Sequence, residues 1–80
     1  MKTKPSQAVG AALVTLGAVI RKRREDIGLS QDELGHLCQL HRTYVGSVER
    51  GERNLTLGSI IALATALQLP ASELLRRAGM

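Results

Sequence analysis

Apolar residues recur at helical spacing along most of the chain. Leu13, Leu16, Ile20 and Ile27 fall on one stripe, which predicts a first helix over about Ala8–Asp26. Gly28 is placed to stop it in a left-handed cap. Leu34 and Cys38, one helical turn apart, give the inner face of a second helix over about 31–38. Ser30 and Glu33 supply an S-x-x-E capping box at its start. Gly35 costs helix propensity, so another backbone is expected to come close there. A turn at about Gln39–Leu40 leads to a third helix over about 42–50, closed by Gly51, with Val45 and Val48 facing inward. Leu57, Ile60, Ile61, Ala64 and Leu67 predict a fourth helix after Thr56 as N-cap. Gln68–Pro70 is a break. A fifth helix is expected over about Ala71–Ala78, with Glu73 in its first turn and Arg76 and Arg77 in its last, matching the helix dipole. No strand pattern, repeat or low-complexity tract appears. The expected fold class is all-α, a compact domain of five helices over residues 8–80, preceded by a flexible arm, Met1–Gln7.

The polar positions add two features. Arg24 falls four residues after Ile20, on the buried stripe of the first helix. A buried arginine needs a carboxylate, because an unpaired buried charge is costly. Glu49, on the edge of the inner face of the third helix, is its natural partner. On the opposite face of that helix lie Thr43, Gly46, Ser47 and Arg50, flanked by Arg42. Small and hydrogen-bonding groups in that arrangement suit a DNA major groove, where arginine reads guanine and threonine or serine reads polar edges or a thymine methyl. Gln31 opens the second helix, where free backbone N–H groups suit a phosphate.

Composition narrows the partner. Eleven Lys+Arg against seven Asp+Glu give a net charge of +4, which fits a polyanion. Tyr44 is the only aromatic residue, a poor stacking platform for single strands, so duplex DNA fits better. The apolar run Ala8–Ile20 behind a basic start imitates a signal peptide. However, it leads into the basic run Arg21–Arg24 instead of a cleavage site, and it is shorter than the ~18 apolar residues of a membrane span. Arg21, Lys22 and Arg23 suit either a solvated face or phosphate contact. The single cysteine, Cys38, forms no intrachain disulfide, and a reducing, cytoplasmic location is expected. His36 and Cys38 are two apart on a helix and point about 200° apart, so with His41 they make no metal site. No Ser/His/Asp order, paired acids or glycine-rich phosphate loop appears, so neither enzyme activity nor a cofactor is expected.

The segments LSQDEL and LHRTYVGSVERGERN (Leu29–Leu34 and Leu40–Asn54) resemble the Xre family, the Cro- and phage-repressor-like helix-turn-helix regulators. The resemblance extends from about Leu16 to Leu75. It rests on the glycine before LSQ, the capping box, the R-T-Y and the V-E-R-G ending at fixed spacing. It implies a five-helix fold in which helices 2 and 3 read DNA, and homodimers on palindromic operators. Controller proteins of restriction–modification systems carry a similar R-T-Y segment. Residue by residue, the resemblance assigns base contacts to Arg42, Thr43 and Ser47, and phosphate or backbone contacts to Gln31, His41, Tyr44, Arg50 and Arg53. Gln31 would also order the reading helix, and the family's internal ion pair falls on Arg24 and Glu49. The chain departs from the pattern where Gln39 takes the common turn glycine, Cys38 a core leucine and Gly35 the usual alanine. Gly46 also removes a side chain from the reading face.

The resulting expectation is sequence-specific binding of double-stranded DNA and transcriptional regulation by a homodimer, with reading helices one DNA turn, about 34 Å, apart. Leu69, Pro70, Leu74 and Leu75 are more apolar than an isolated chain of this size should expose, and are expected at the dimer interface. The alternative is a protein-interaction module on the same fold, an antitoxin or adaptor. Such a module does not need Arg42, Thr43, Ser47 and Arg50 aligned outward.

Overall fold

The computed structural model of the chain describes residues 5–80, with side chains from Gln7 onward. Five helices follow one another: α1 (Pro5–Asp26), α2 (Gln31–Cys38), α3 (Arg42–Glu49), α4 (Leu57–Ala66) and α5 (Ala71–Arg77). No strand occurs among the described residues. The all-α expectation therefore holds, and most helix ends move by a residue at most. The exception is the start of α1, at Pro5, inside the segment expected to be a flexible arm. Proline is tolerated at the first helical position because its missing N–H has no partner there anyway. The remainder of the expected arm, Met1–Lys4, lies outside the described residues.

Local chemistry sets the boundaries. The Ser30 hydroxyl accepts from the Glu33 N–H at 2.9 Å, and the Glu33 carboxylate accepts from the Ser30 N–H at 2.8 Å, a complete capping box. Those bonds to Ser30 hold the Glu33 carboxyl below its ordinary pKa. Thr56 caps α4 by accepting from the Ser59 N–H at 3.0 Å. Gly28 ends α1 at φ 78°.

The helices close a ring around one core. α2 packs on α3, α3 on α1, α4 on α2 and α5, and α5 returns to α1. Leu16, Ile20, Leu34, Val45, Val48, Leu63, Ala64, Leu67, Leu74 and Ala78 fill the centre. Gly17 lets α3 lie directly on α1: a Cβ there would strike the carbonyl oxygens of Val48 and Glu49.

The stripes expected from sequence are only partly buried. In α1, Leu16 and Ile20 are buried and Ile27 packs against the core from the side. Leu13 is half-buried but does not touch the core. In α4 the inward face is Leu63, Ala64 and Leu67, whereas Leu57 is 67% and Ile61 48% exposed. The α4 sequence LGSIIALATA is apolar nearly all round, so periodicity alone could not set its rotation. Leu74, expected at a dimer interface, is fully buried in the chain's own core and cannot reach a partner. Leu69 and Leu75 are half-buried against the core, and Pro70 is exposed. No single helix among the described residues is long and apolar enough to cross a membrane.

On α5, Glu73 accepts from Arg76 at 2.7 and 2.9 Å and from Arg77 at 2.9 Å. Arg76 first, then Arg77, lowers its carboxyl pKa from 4.5 to about 2. A depressed carboxyl contributes stability that is present above its unfolded value and lost as pH falls through the folded one. Glu73→Gln should therefore lower the melting temperature at neutral pH, and the gap from wild type should close as pH falls from 4.5 through about 2. A gap independent of pH would mean that the ion pairs contribute nothing.

Candidate nucleic-acid interface

Two backbone features set how α3 leaves α2. Gln39 adopts a left-handed conformation, φ 60°, at the C-cap of α2. The Leu40 N–H then donates back to the Gly35 carbonyl at 2.7 Å. A Cβ on Gly35 would strike the Leu40 carbonyl, which is the close approach expected of that glycine. Leu40 packs at the side of the core between the two helices.

A buried polar cluster holds α3 to α1 and α2. Arg24 Nε donates to Glu49 Oε2 at 2.6 Å and its second terminal nitrogen to Glu49 Oε1 at 3.0 Å. Its first terminal nitrogen donates to the Leu29 carbonyl at 2.9 Å. Arg24 and Glu49 are each 8% exposed. The hydrogen bond to Glu49 raises the already high Arg24 pKa further. Gln31 Nε2 donates to the same Glu49 Oε1 at 3.0 Å, so the residue opening α2 grips the last residue of α3. Gln31 and Arg50 together cover Gly46, which has become a floor beneath two longer side chains instead of an open point on the outer face. No buried side-chain nitrogen or oxygen among the described residues lacks a partner.

The outer surface is sorted differently from the sequence pattern. Arg42 and Thr43 are exposed at the N-terminal end of α3. Ser47, expected among the base-contacting residues, is only 5% exposed. Its hydroxyl donates to the Tyr44 carbonyl at 2.7 Å and accepts from Arg53 Nε at 3.1 Å. Arg53 also sits 5.5 Å from the centre of the Tyr44 ring, a cation–π distance. Ser47 thus holds Arg53 and is not presented to a base edge. His41, expected to contact phosphate, caps α3: its Nδ1 accepts from the Thr43 N–H at 3.0 Å. Arg50 is exposed but paired with Glu52 at 3.0 Å. That bond raises the Arg50 pKa and lowers the Glu52 pKa.

The other candidates are spread elsewhere. Arg21 pairs with Glu25 at 3.2 Å and Lys22 with Asp26 at 2.7 Å, both solvated i,i+4 pairs. Arg23 donates to the Leu67 carbonyl at 2.9 Å and ties α1 to the end of α4. The Cys38 thiol donates to the Ala62 carbonyl at 3.6 Å, and burial pushes its pKa up. Sequence reasoning missed the Ser47–Arg53 and Arg50–Glu52 contacts. Their signal was the proximity of Glu52 and Arg53 just beyond Gly51, where the chain doubles back on α3.

Residues 20–74 match the helix-turn-helix family HTH_3. The chain belongs to this family. This helix-turn-helix protein is 49% identical over 61 residues to control protein C.SmaI of Serratia marcescens, a span of 76% of this chain and 73% of that one. Its fold superposes on the restriction–modification controller protein C.AhdI from Aeromonas hydrophila with a TM-score of 0.75 and 50% identity, over 78% of this chain and 94% of the other. It also superposes on the controller protein C.Esp1396I, solved as a tetramer in complex with its natural 35 base-pair operator, with a TM-score of 0.73 and 29% identity over 86% and 96% of the two chains.

Arg24→Ala in this helix-turn-helix protein leaves Glu49 buried and charged beside one remaining donor, Gln31. Urea denaturation should show a loss of roughly 3–5 kcal/mol. An unchanged midpoint would contradict a fold-holding role for the pair.

Proposed function

We propose that this protein is a sequence-specific, duplex-DNA-binding transcription regulator of the control-protein type, acting as a homodimer with α3 in the major groove. The observation that carries this reading is the outward presentation of Arg42 and Thr43 on an α3 that a buried ion pair and Gln31 hold in place. The likeness to control proteins, one of them solved on its operator, supports it. Arg42 and Thr43 read base edges, for which an exposed arginine fork and a hydroxyl with a methyl are suited. Arg53, braced by Ser47 and Tyr44, and Arg50 take phosphates on either side of the reading helix. Arg50 exchanges Glu52 for phosphate at little cost, because an exposed ion pair is worth little. Gln31 keeps a second amide hydrogen for phosphate after donating the first to Glu49. Leu69, Pro70 and Leu75 remain the dimer surface at the α4–α5 break, without Leu74. The protein works as a non-catalytic regulator, in the cytoplasm where its DNA lies.

Selection of sites from a randomised duplex library tests the reading. Two inverted half-sites about 10 bp apart centre to centre are expected. Enrichment of no sequence by well-folded protein would leave a protein-interaction module on the same fold.

Arg42→Ala should cost about 1–3 kcal/mol at one base position and relax specificity there. Arg53→Ala should weaken all sequences alike and flatten the salt dependence. Uniform loss in both variants would remove Arg42 from base reading. Ser47→Ala should weaken binding through Arg53, so in the double variant the second substitution should add little. Fully additive losses would show that Ser47 acts independently.

A further inference from the structure

Just past α3 the chain carries a carboxylate among the arginines proposed to meet phosphate. Between Gln39 and Thr56 the acids are Glu49 and Glu52. Glu49 is buried in its fork with Arg24, which leaves Glu52 as the one exposed acid of that segment. The turn fixes its place. Gly51 takes φ 77°, its N–H donates to the Val48 carbonyl at 2.9 Å, and the Glu52 N–H donates to the Ser47 carbonyl at 2.9 Å. The chain thereby doubles back and sets the Glu52 carboxylate beyond the C-terminal end of α3, where the helix dipole favours cations.

Two arginines face this carboxylate. Arg50 Nε donates to it at 3.0 Å. The hydrogen bond from Arg50, then the charges of Arg50 and Arg53, hold the Glu52 carboxyl below its ordinary pKa. Arg50 is also held at a second point. One of its terminal nitrogens lies 3.3 Å from where a Cβ on Gly46 would stand, so its guanidinium lies back along the outer face of α3. A freed Arg50 could follow a phosphate in any register; the paired one points one way. Arbitrary duplex is bound through phosphate charge, with α3 unseated and water between the surfaces. There a solvated phosphate offers Arg50 no more than Glu52 already supplies, and the pair persists as a neutral unit. On a matched site α3 sits in the groove and a phosphate comes into direct contact. An exposed ion pair is worth little, so that contact breaks it.

We propose that Glu52 is a specificity-determining residue, which withholds Arg50 from DNA until α3 is seated on its site. The carboxylate neutralises one phosphate-binding charge in the loose complex and releases it in the tight one. It therefore lowers affinity for arbitrary duplex more than for the matched site, and discriminates by weakening the wrong complex. The inference rests on the DNA-binding reading above and adds to it a residue that touches neither base nor phosphate.

The test compares wild type with Glu52→Gln, which keeps the shape of an exposed side chain and removes its charge. Binding of the full chain is measured against salt on two probes, the duplex recovered by site selection and a duplex of mixed random sequence. On random duplex Glu52→Gln should bind more tightly, and its salt slope should steepen by about 0.9, the contribution of one more phosphate contact. Its advantage there should accordingly shrink about threefold between roughly 50 and roughly 200 mM salt. On the selected duplex the two slopes should coincide, so the ratio of the two affinities falls in the variant. In an Arg50→Ala background the gain on random duplex should vanish. Equal slopes on random duplex, an equal gain on both probes, or a gain that survives Arg50→Ala would each overturn the proposal and leave the DNA-binding reading intact. A wild type that prefers no duplex over random sequence would overturn that reading, and the proposal with it.

Discussion

The fork between Arg24 and Glu49, with Gln31 as its third member, is the constraint on which the reading surface depends. α3 has eight residues, too few for a helix to persist by its own hydrogen bonds. Its apolar anchors, Val45 and Val48, hold it to the core. The carboxylate of Glu49 adds a directional anchor, gripped from α1 by two arginine nitrogens and from α2 by an amide. A buried ion pair is weak evidence for stability, since desolvation offsets much of the attraction. Here its value lies in geometry: one carboxylate ties three helices at a single point. Gly17 and Gly35 complete the constraint by allowing the backbones of α3 and of the turn to come closer than any side chain would permit.

This arrangement carries outward to the surface in two tiers. Arg42 and Thr43 are exposed at the start of α3, which the His41 ring caps. Around them, the longer basic side chains are braced. Arg53 is held by the Ser47 hydroxyl and the Tyr44 ring, and Arg50 by the Glu52 carboxylate. A braced arginine loses less rotamer freedom when it meets a phosphate, which lowers the ordering cost of binding. Ser47 thus holds Arg53, and His41 holds the first turn of α3.

The apolar surface is uneven. The core is closed by residues of all five helices, yet Val9 and Val14 on α1 and Leu57 and Ile61 on α4 remain open. A small domain cannot cover all its apolar residues, and scattered ones carry no message. Val9 lies on the stripe of Leu16 and Ile20, two turns before Leu16, in a stretch without charge.

Much of this protein was determined locally and could be read from its sequence. The capping box, N-caps, terminal glycines and three- and four-residue spacing act over a single helical turn, so the number of helices and nearly all of their ends followed from the chain alone. The pairing of Arg24 with Glu49 followed as well, since a charge on a buried stripe admits few partners. The tertiary structure decided what depends on more distant neighbours. Ser47 lies on the polar side of α3 by periodicity, but the chain returning after Gly51 brings Arg53 over it. Leu74 reads as surplus apolar surface until α5 folds back onto α1. Periodicity places Leu57 and Ile61 on the inward stripe of α4 with Ala64 and Leu67, but that helix is apolar nearly all round, and its contacts with α2 and α5 bury Leu63 beside Ala64 and Leu67 and leave Leu57 and Ile61 exposed. Helical periodicity states which residues share a face; which faces are then covered is set by packing between segments far apart in sequence.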